Sequence, residues 1–215
     1  MKLYIYEHCP FCVKARMIFG LKNVPIGLEV LLNDDEARPV SMVGKKVVPI
    51  LQKEDGGFMP ESMDIVHYID NKYGEPLLTG PLNAAMGKWL DANGEISYRA
   101  ITPRVARARF EEFATPEARQ YFVNKKQAAI GSFDEHLSHS EGIIKKISQQ
   151  LRDLAPLIKQ PNACNGELSE DDIHLFARLR SLSLVAGIEW PTQVAEYRDN
   201  MAKQTQINLL SSVAQ

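Results

Sequence analysis

The sequence predicts an α/β domain built on a four-strand sheet, followed by an all-helical domain. Three observations lead there. Residues 1–72 mix strand and helix signals, residues 73–83 form a glycine- and proline-rich linker, and residues 84–215 carry almost helical signals alone. Lys2-Leu3-Tyr4-Ile5-Tyr6 is aromatic and β-branched enough for a first strand, and Pro10 suits the first position of the helix after it. That helix carries Val13, Ala15, Met17 and Phe19 to about Gly20. Ile26–Leu32 reads as a second, largely buried strand, followed by an irregular segment, and Val47–Gln52 as a third strand. Asp55-Gly56-Gly57 turns the chain into a fourth strand at Phe58-Met59, and Ile65, Val66 and Ile69 mark a helix from Ser62 that ends before Gly74.

Beyond the linker, Met86, Trp89, Leu90 and Ile96 mark one helix that Pro103 should kink or end. Thr115-Pro116 starts another, with Phe122, Ile130, Phe133 and Leu137 on roughly one face. Ile143, Ile144, Ile147, Leu151, Leu154 and Ile158 give an apolar stripe at helical spacing. Ser169 and Asp172 form a short capping box flanked by the staple pair Leu168 and Ile173. The helix that follows is apolar on several faces, so it is expected to be central and buried.

With 215 residues, 45% of them hydrophobic and 24% charged, the chain can build a core without staples. A net charge of -2 gives no global footprint for nucleic acid or an anionic membrane. No apolar run approaches the ~20 residues of a bilayer span. Leu3–Tyr6 is too short an apolar stretch for a secretory signal. Three cysteines do not make a disulfide framework, and a cytoplasmic protein is expected, where a Cys pair is catalytic or metal-binding.

Cys9-Pro10-Phe11-Cys12 is the motif with a mechanism attached. Thiol chemistry needs the thiolate, and unpaired N–H groups with the positive end of a helix dipole favour it at Cys9. Cys12 falls one helical turn on, on the same face. Cys9 is therefore expected to be the exposed attacker and Cys12 the more buried resolving sulfur. A zinc half-site is the competing reading, but it wants a second ligand pair. Cys164 stands alone, with His139 and His174 at no recognisable spacing. Two inert buried cysteines are the remaining alternative.

These residues resemble a glutaredoxin over positions 1–72: the C-P-F-C site after strand one, then Val48-Pro49, then Gly56-Gly57. Glu61-Ser62 opening a helix, the linker, the helical second domain and Gly166-x-x-Ser169-x-x-Asp172 resemble the glutathione transferases. Together they are similar to a long bacterial glutaredoxin with a transferase-like second domain, over essentially the whole chain. The resemblance implies a thioredoxin-like first domain and a glutathione-dependent thiol–disulfide oxidoreductase with Cys9 and Cys12 catalytic. It implies a cis Val48–Pro49 bond, and glutathione held by Cys9, Val48, Pro49, Glu61 and Ser62. Val48 would pair with its cysteinyl backbone, Ser62 and the helix amides would take the γ-glutamyl carboxylate, and Glu61 its ammonium.

The expected partners are glutathione and glutathionylated or disulfide-containing proteins, with glutathione reductase acting through glutathione. No metal, nucleic acid or membrane is expected, and the chain should be a monomer. A cysteine-type glutathione transferase and an iron–sulfur-binding module are the alternatives. Phe11 stands where Tyr is more usual, so substrate preference should change. Tyr6-Glu7-His8 lacks the basic residue usual before the active cysteine, leaving Lys22, Lys45 and Lys46 as candidates for the glycine carboxylate. His8 reads as an exposed loop residue, and His67 as an ordinary helix residue. Arg99, Arg104, Arg107 and Arg109 read as a solvated face paired with Glu111 and Glu112. Trp89 and Trp190 read as core, and Cys164 as a passive loop residue.

Overall fold

Alternation along the first strand sets the layers of the α/β half. In the computed structural model, which describes residues 1–215, β1 (Lys2–Ile5) sends Leu3 and Ile5 to one face and Tyr4 to the other. α1 (Pro10–Leu21) and α3 (Ser62–Lys72) cover the first face. α2 (Ala37–Val43) contributes Met42 and Val43 against Tyr4, Leu31 and Ile50 on the second. The sheet runs β2-β1-β3-β4, with β2 (Gly27–Val30), β3 (Ile50–Gln52) and β4 (Phe58–Pro60). β1 and β2 are parallel, and the other two pairings are antiparallel.

Two expectations change here. The second strand is an edge strand with Leu28 exposed, because only β1 lies beside it; Leu31, just past its end, supplies the buried side chain. The irregular segment contains α2, which accepts Pro39 because an N–H in the first turn has no helical partner to lose.

The helical half contains α4 (Ala84–Ala92), α5 (Gly94–Arg107), α6 (Pro116–Ile130), α7 (Phe133–Ser138), α8 (Ser140–Leu154), α9 (Glu170–Leu182) and α10 (Thr192–Thr205). The helix expected around Met86–Ile96 is two helices broken at Asn93, whose side chain bonds back to the Trp89 carbonyl. Pro103 does not end α5. It removes only its own ladder bond, while buried Arg104 bonds the Ala100 carbonyl at 2.8 Å across the same turn. Gly131, at φ 86, separates α6 from α7.

Thr115 caps α6 as expected, and the Ser169–Asp172 capping box is formed, with Asp172 accepting the Ser169 N–H at 2.9 Å. Asp172 also accepts from the Cys164 N–H at 2.7 Å and the Tyr197 hydroxyl at 2.9 Å. α9 is buried along most of its length and packs on α1, α4, α5 and α10. Trp89 belongs to the core, whereas Trp190 is half-buried beneath the Arg198 guanidinium. No helix is long and apolar enough to cross a membrane.

One apolar core joins the halves, running from Leu3 and Ile18 through Phe176 to Met201. α1 packs against α3 on one side and α9 and α10 on the other. The closest approach is at Gly20, where a Cβ would stand 2.0 Å from the Thr205 carbonyl oxygen. Gly20→Ala must push α1 away from α10, at a cost of about 1–3 kcal/mol. A fall of several degrees in Tm is the expected result in a thermal melt; an unchanged Tm would show that the two helices part freely.

Candidate active site

β1, β3 and β4 deliver their ends to one edge of the sheet. Tyr4 pairs with Ile50 and Ile50 with Pro60, so the turn after Ile5, the Val48–Pro49 bond and Glu61 leave the sheet together. The Val48–Pro49 peptide is cis, as the family resemblance implies. Cys9 is the N-cap of α1 with Pro10 at the first helical position, and its N–H closes a turn onto the Tyr6 carbonyl at 3.2 Å.

Cys9 is only 9% exposed, so it is less open than expected; it reaches solvent through a pocket of about 440 Å³. Cys12 is fully buried and accepts the Tyr6 N–H at its sulfur at 3.4 Å. Both are free thiols. The Cys12 thiol donates to Cys9 and lowers its pKa to about 6, with help from positive charge on His8 and the N–H groups of Cys12 and Phe11, against the cost of burial. Burial and the adjacent Cys9 sulfur push Cys12 well up. The two sulfurs thus differ in environment: the surroundings favour the thiolate at Cys9 and the protonated thiol at Cys12.

His8 is not an exposed loop residue. Its ring nitrogen Nδ1 lies 2.5 Å from Glu112, and the ring sits among Tyr6, Phe113 and Phe122. Glu112, fully buried, also accepts the N–H groups of Glu7 at 3.2 Å and His8 at 3.1 Å. Burial raises the Glu112 pKa, but the His8 ring and neighbouring N–H groups outweigh it and hold the carboxyl below its ordinary 4.5. Arg180 of α9, also buried, donates to the Glu7 carbonyl at 2.9 Å and pairs with the Glu7 carboxylate, which Arg16 reaches at 2.9 Å. The helical half therefore grips the turn before Cys9 from two sides.

Glu61 sits at φ 69 and does not cap α3, so the first amides of that helix receive no partner from it. Ser62 is buried at that end, and Glu61 pairs with Lys45 at 2.7 Å. Val48 lines the pocket, and Pro49 is buried beside it. Of the three lysine candidates, Lys22 is elsewhere, bonded to Asp70 and the carbonyls of Tyr73 and Glu75. Lys46 alone lines the pocket, its ammonium 3.6 Å from the centre of the Tyr121 ring and 3.6 Å from Glu36.

The arginine face is also different. Arg99 pairs with Glu95 and Arg107 with Asp134, while Arg104 is buried on the Gln215 and Ala100 carbonyls; Glu111 and Glu112 take none of them. His67 pairs with Glu170 at 2.8 Å, and Cys164 is buried with its pKa raised by burial and by Asp172. No cluster of three or more His, Cys, Asp and Glu side chains suited to a metal ion is present.

Residues 85–214 match the family described as "Glutaredoxin 2, C terminal domain", and residues 3–77 the "Glutathione S-transferase, N-terminal domain". Glutaredoxin 2 of Escherichia coli K12 is 63% identical over 214 residues, covering 100% of both chains. The chain belongs to the glutaredoxin 2 family. Family membership makes it a glutathione-dependent oxidoreductase. The crystal structure of glutaredoxin 2 from Salmonella typhimurium in complex with glutathione superposes at a TM-score of 0.99, with 66% identity over 100% of this chain and 98% of that one. A glutathione S-transferase from Rhodospirillum rubrum F11, at 18% identity, TM-score 0.63 and coverage of 99% and 90%, shares the fold alone.

The glutaredoxin 2 assignment fits the two-part architecture read from the sequence. The residues that reasoning from sequence missed are Glu112 and Arg180, which come from the helical half to the turn before Cys9. Neither has a local signature: each partner lies more than a hundred positions away in the chain.

Proposed function

We propose that Cys9 is the nucleophile of a glutathione-dependent thiol–disulfide exchange, and that Cys12 serves as its resolving partner. The supporting observation is the depressed Cys9 pKa at a helix N-terminus on a pocket wall, beside a Cys12 that keeps its proton. Glutathione would lie from Cys9 along Val48 and Pro49 to Glu61 and Ser62. Its cysteinyl backbone would pair with Val48, its γ-glutamyl carboxylate would take the uncapped amides of α3, and its ammonium Glu61. Lys46 is placed for the glycine carboxylate.

In the monothiol cycle the Cys9 thiolate attacks the glutathione sulfur of a glutathionylated protein. The S–S bond breaks, the protein leaves as a thiolate that takes a proton from solvent, and Cys9 carries glutathione. A second glutathione thiolate attacks that glutathione sulfur, releasing Cys9 as thiolate and glutathione disulfide, which glutathione reductase recycles. In the dithiol cycle the Cys9 thiolate attacks a protein disulfide, releasing one protein thiolate and forming a mixed disulfide. The Cys12 thiol, losing its proton as it attacks the Cys9 sulfur, expels the second protein thiolate and closes the Cys9–Cys12 disulfide. Two glutathione molecules reduce that disulfide as they form glutathione disulfide. A chain acting as a cysteine-type transferase would not need Cys12.

Steady-state reduction of a glutathione mixed disulfide, coupled through glutathione reductase to NADPH oxidation, tests the reading on the intact chain. Rapid turnover is expected. A rate no higher than buffer overturns it.

A further inference from the structure

The pocket over Cys9 has an unusual charge. The chain holds 27 acidic and 25 basic residues, yet no Asp or Glu lines this pocket, while Lys46, Lys125, Lys126 and Arg178 do. Lys125 and Lys126 project from α6 and Arg178 from α9, so three of the four cations stand on the helical wall. None of these three forms an ion pair. Lys125 lies 5.8 Å from the centre of the Tyr121 ring, and Lys126 5.3 Å from that of Tyr98. Arg178 donates to the Asn93 carbonyl at 3.1 Å. The nearby carboxylates stand behind the lining: Glu36 is engaged by the Tyr121 hydroxyl and Lys46, Asp34 and Asp35 lie toward Lys46, Glu112 is held by His8, and Asp91 lies near Arg178.

The pocket lining also supplies apolar surface, from Ile101, Val105 and Phe122 of the helical half and from the exposed ring of Phe11. We propose that this wall is the subsite for the protein half of the mixed disulfide and that it selects acidic segments: a cysteine flanked by carboxylates, with an apolar side chain beside it. The inference rests on Cys9 as nucleophile and on glutathione lying along Val48 and Ser62, on the α/β side. The other half of the disulfide must then lie toward α5, α6 and α9. Cations placed there attract the flanking carboxylates and steady the protein thiolate as the S–S bond breaks and Cys9 takes glutathione.

The test uses three glutathionylated peptides of one length whose residues flanking the cysteine are Glu, Gln or Lys, together with the mixed disulfide of glutathione and 2-mercaptoethanol. For the wild-type chain at low salt, kcat/KM is expected to be about tenfold higher for the Glu peptide than for the Lys peptide, with Gln between. The preference should shrink as salt shortens the Debye length. In Lys125→Glu/Lys126→Glu the order of the Glu and Lys peptides should reverse. Equal kcat/KM for all three peptides, with the small disulfide turned over normally, overturns the subsite and leaves Cys9 standing. Loss of turnover on the small disulfide in the wild type would overturn the nucleophile assignment and the subsite with it. An unchanged Glu preference in the double variant would also overturn the proposal.

Discussion

Cys9→Ser is expected to reduce turnover of a glutathione mixed disulfide to the buffer rate, because an alcohol at this position has no accessible anion near neutral pH. Cys12→Ser should retain that turnover and lose reduction of protein disulfides, since only the second cycle needs a resolving sulfur. The two serines therefore separate the cycles in one pair of coupled assays. A third variant reads the hydrogen bond between the cysteines. The Cys12 thiol is the largest cause of the low Cys9 pKa. Cys12→Ala, which removes the donor, should move the Cys9 midpoint up toward an ordinary thiol, whereas Cys12→Ser, which keeps a donor, should move it less. A Cys9→Ser protein that still turned over the mixed disulfide would remove Cys9 from the chemistry altogether.

Glu112→Leu should be the most damaging single change outside the cysteines. It leaves the His8 ring and the N–H groups of Glu7 and His8 without their acceptor in a buried place. Breaking such a pair costs about 3–5 kcal/mol, roughly 6–20 °C in Tm for a chain of this size. Because the same turn leads into Cys9, the loss should also raise the Cys9 alkylation midpoint.

The charge can be tested apart from the shape with Glu112→Gln. The folded-state pKa of Glu112 lies below its ordinary 4.5, so its charge contributes stability that is fully present above that value and is lost as pH falls through the folded value. The wild type should therefore exceed Glu112→Gln above about pH 4.5, and the margin should close as pH falls below it in denaturant titrations. A margin that persisted in acid would mean that packing, not charge, holds the turn.

What could be read in the sequence depended on how local its cause was. The Cys9-Pro10-Phe11-Cys12 motif, the Thr115 cap and the Ser169–Asp172 box act within a few residues, and each lies where its spacing places it. The helix broken at Asn93 and the short α2 were illegible for a related reason: neither an Asn in an apolar-periodic run nor a proline in the first turn of a seven-residue helix announces a boundary. Pro103 misled in the opposite sense, since packing and the Arg104 bond to Ala100 hold α5 together through it. The site was half legible. Its cysteines stood out, but His8 was read as solvated and Glu112 as the partner of surface arginines. Only the fold brings an acid of the helical half to a turn 104 positions earlier. Arg180 belongs with it: a guanidinium buried in a central helix looks like an error in periodicity until the Glu7 turn is docked against it.

The most direct measurement is the rate of Cys9 alkylation against pH in the reduced protein, with the labelled peptide identified by mass spectrometry. The helix N-terminus and the Cys12 thiol predict a midpoint near 6, with label on Cys9 and none on Cys12. A midpoint at the usual value for a free cysteine, about 8.5, or label arriving first on Cys12, would contradict the account.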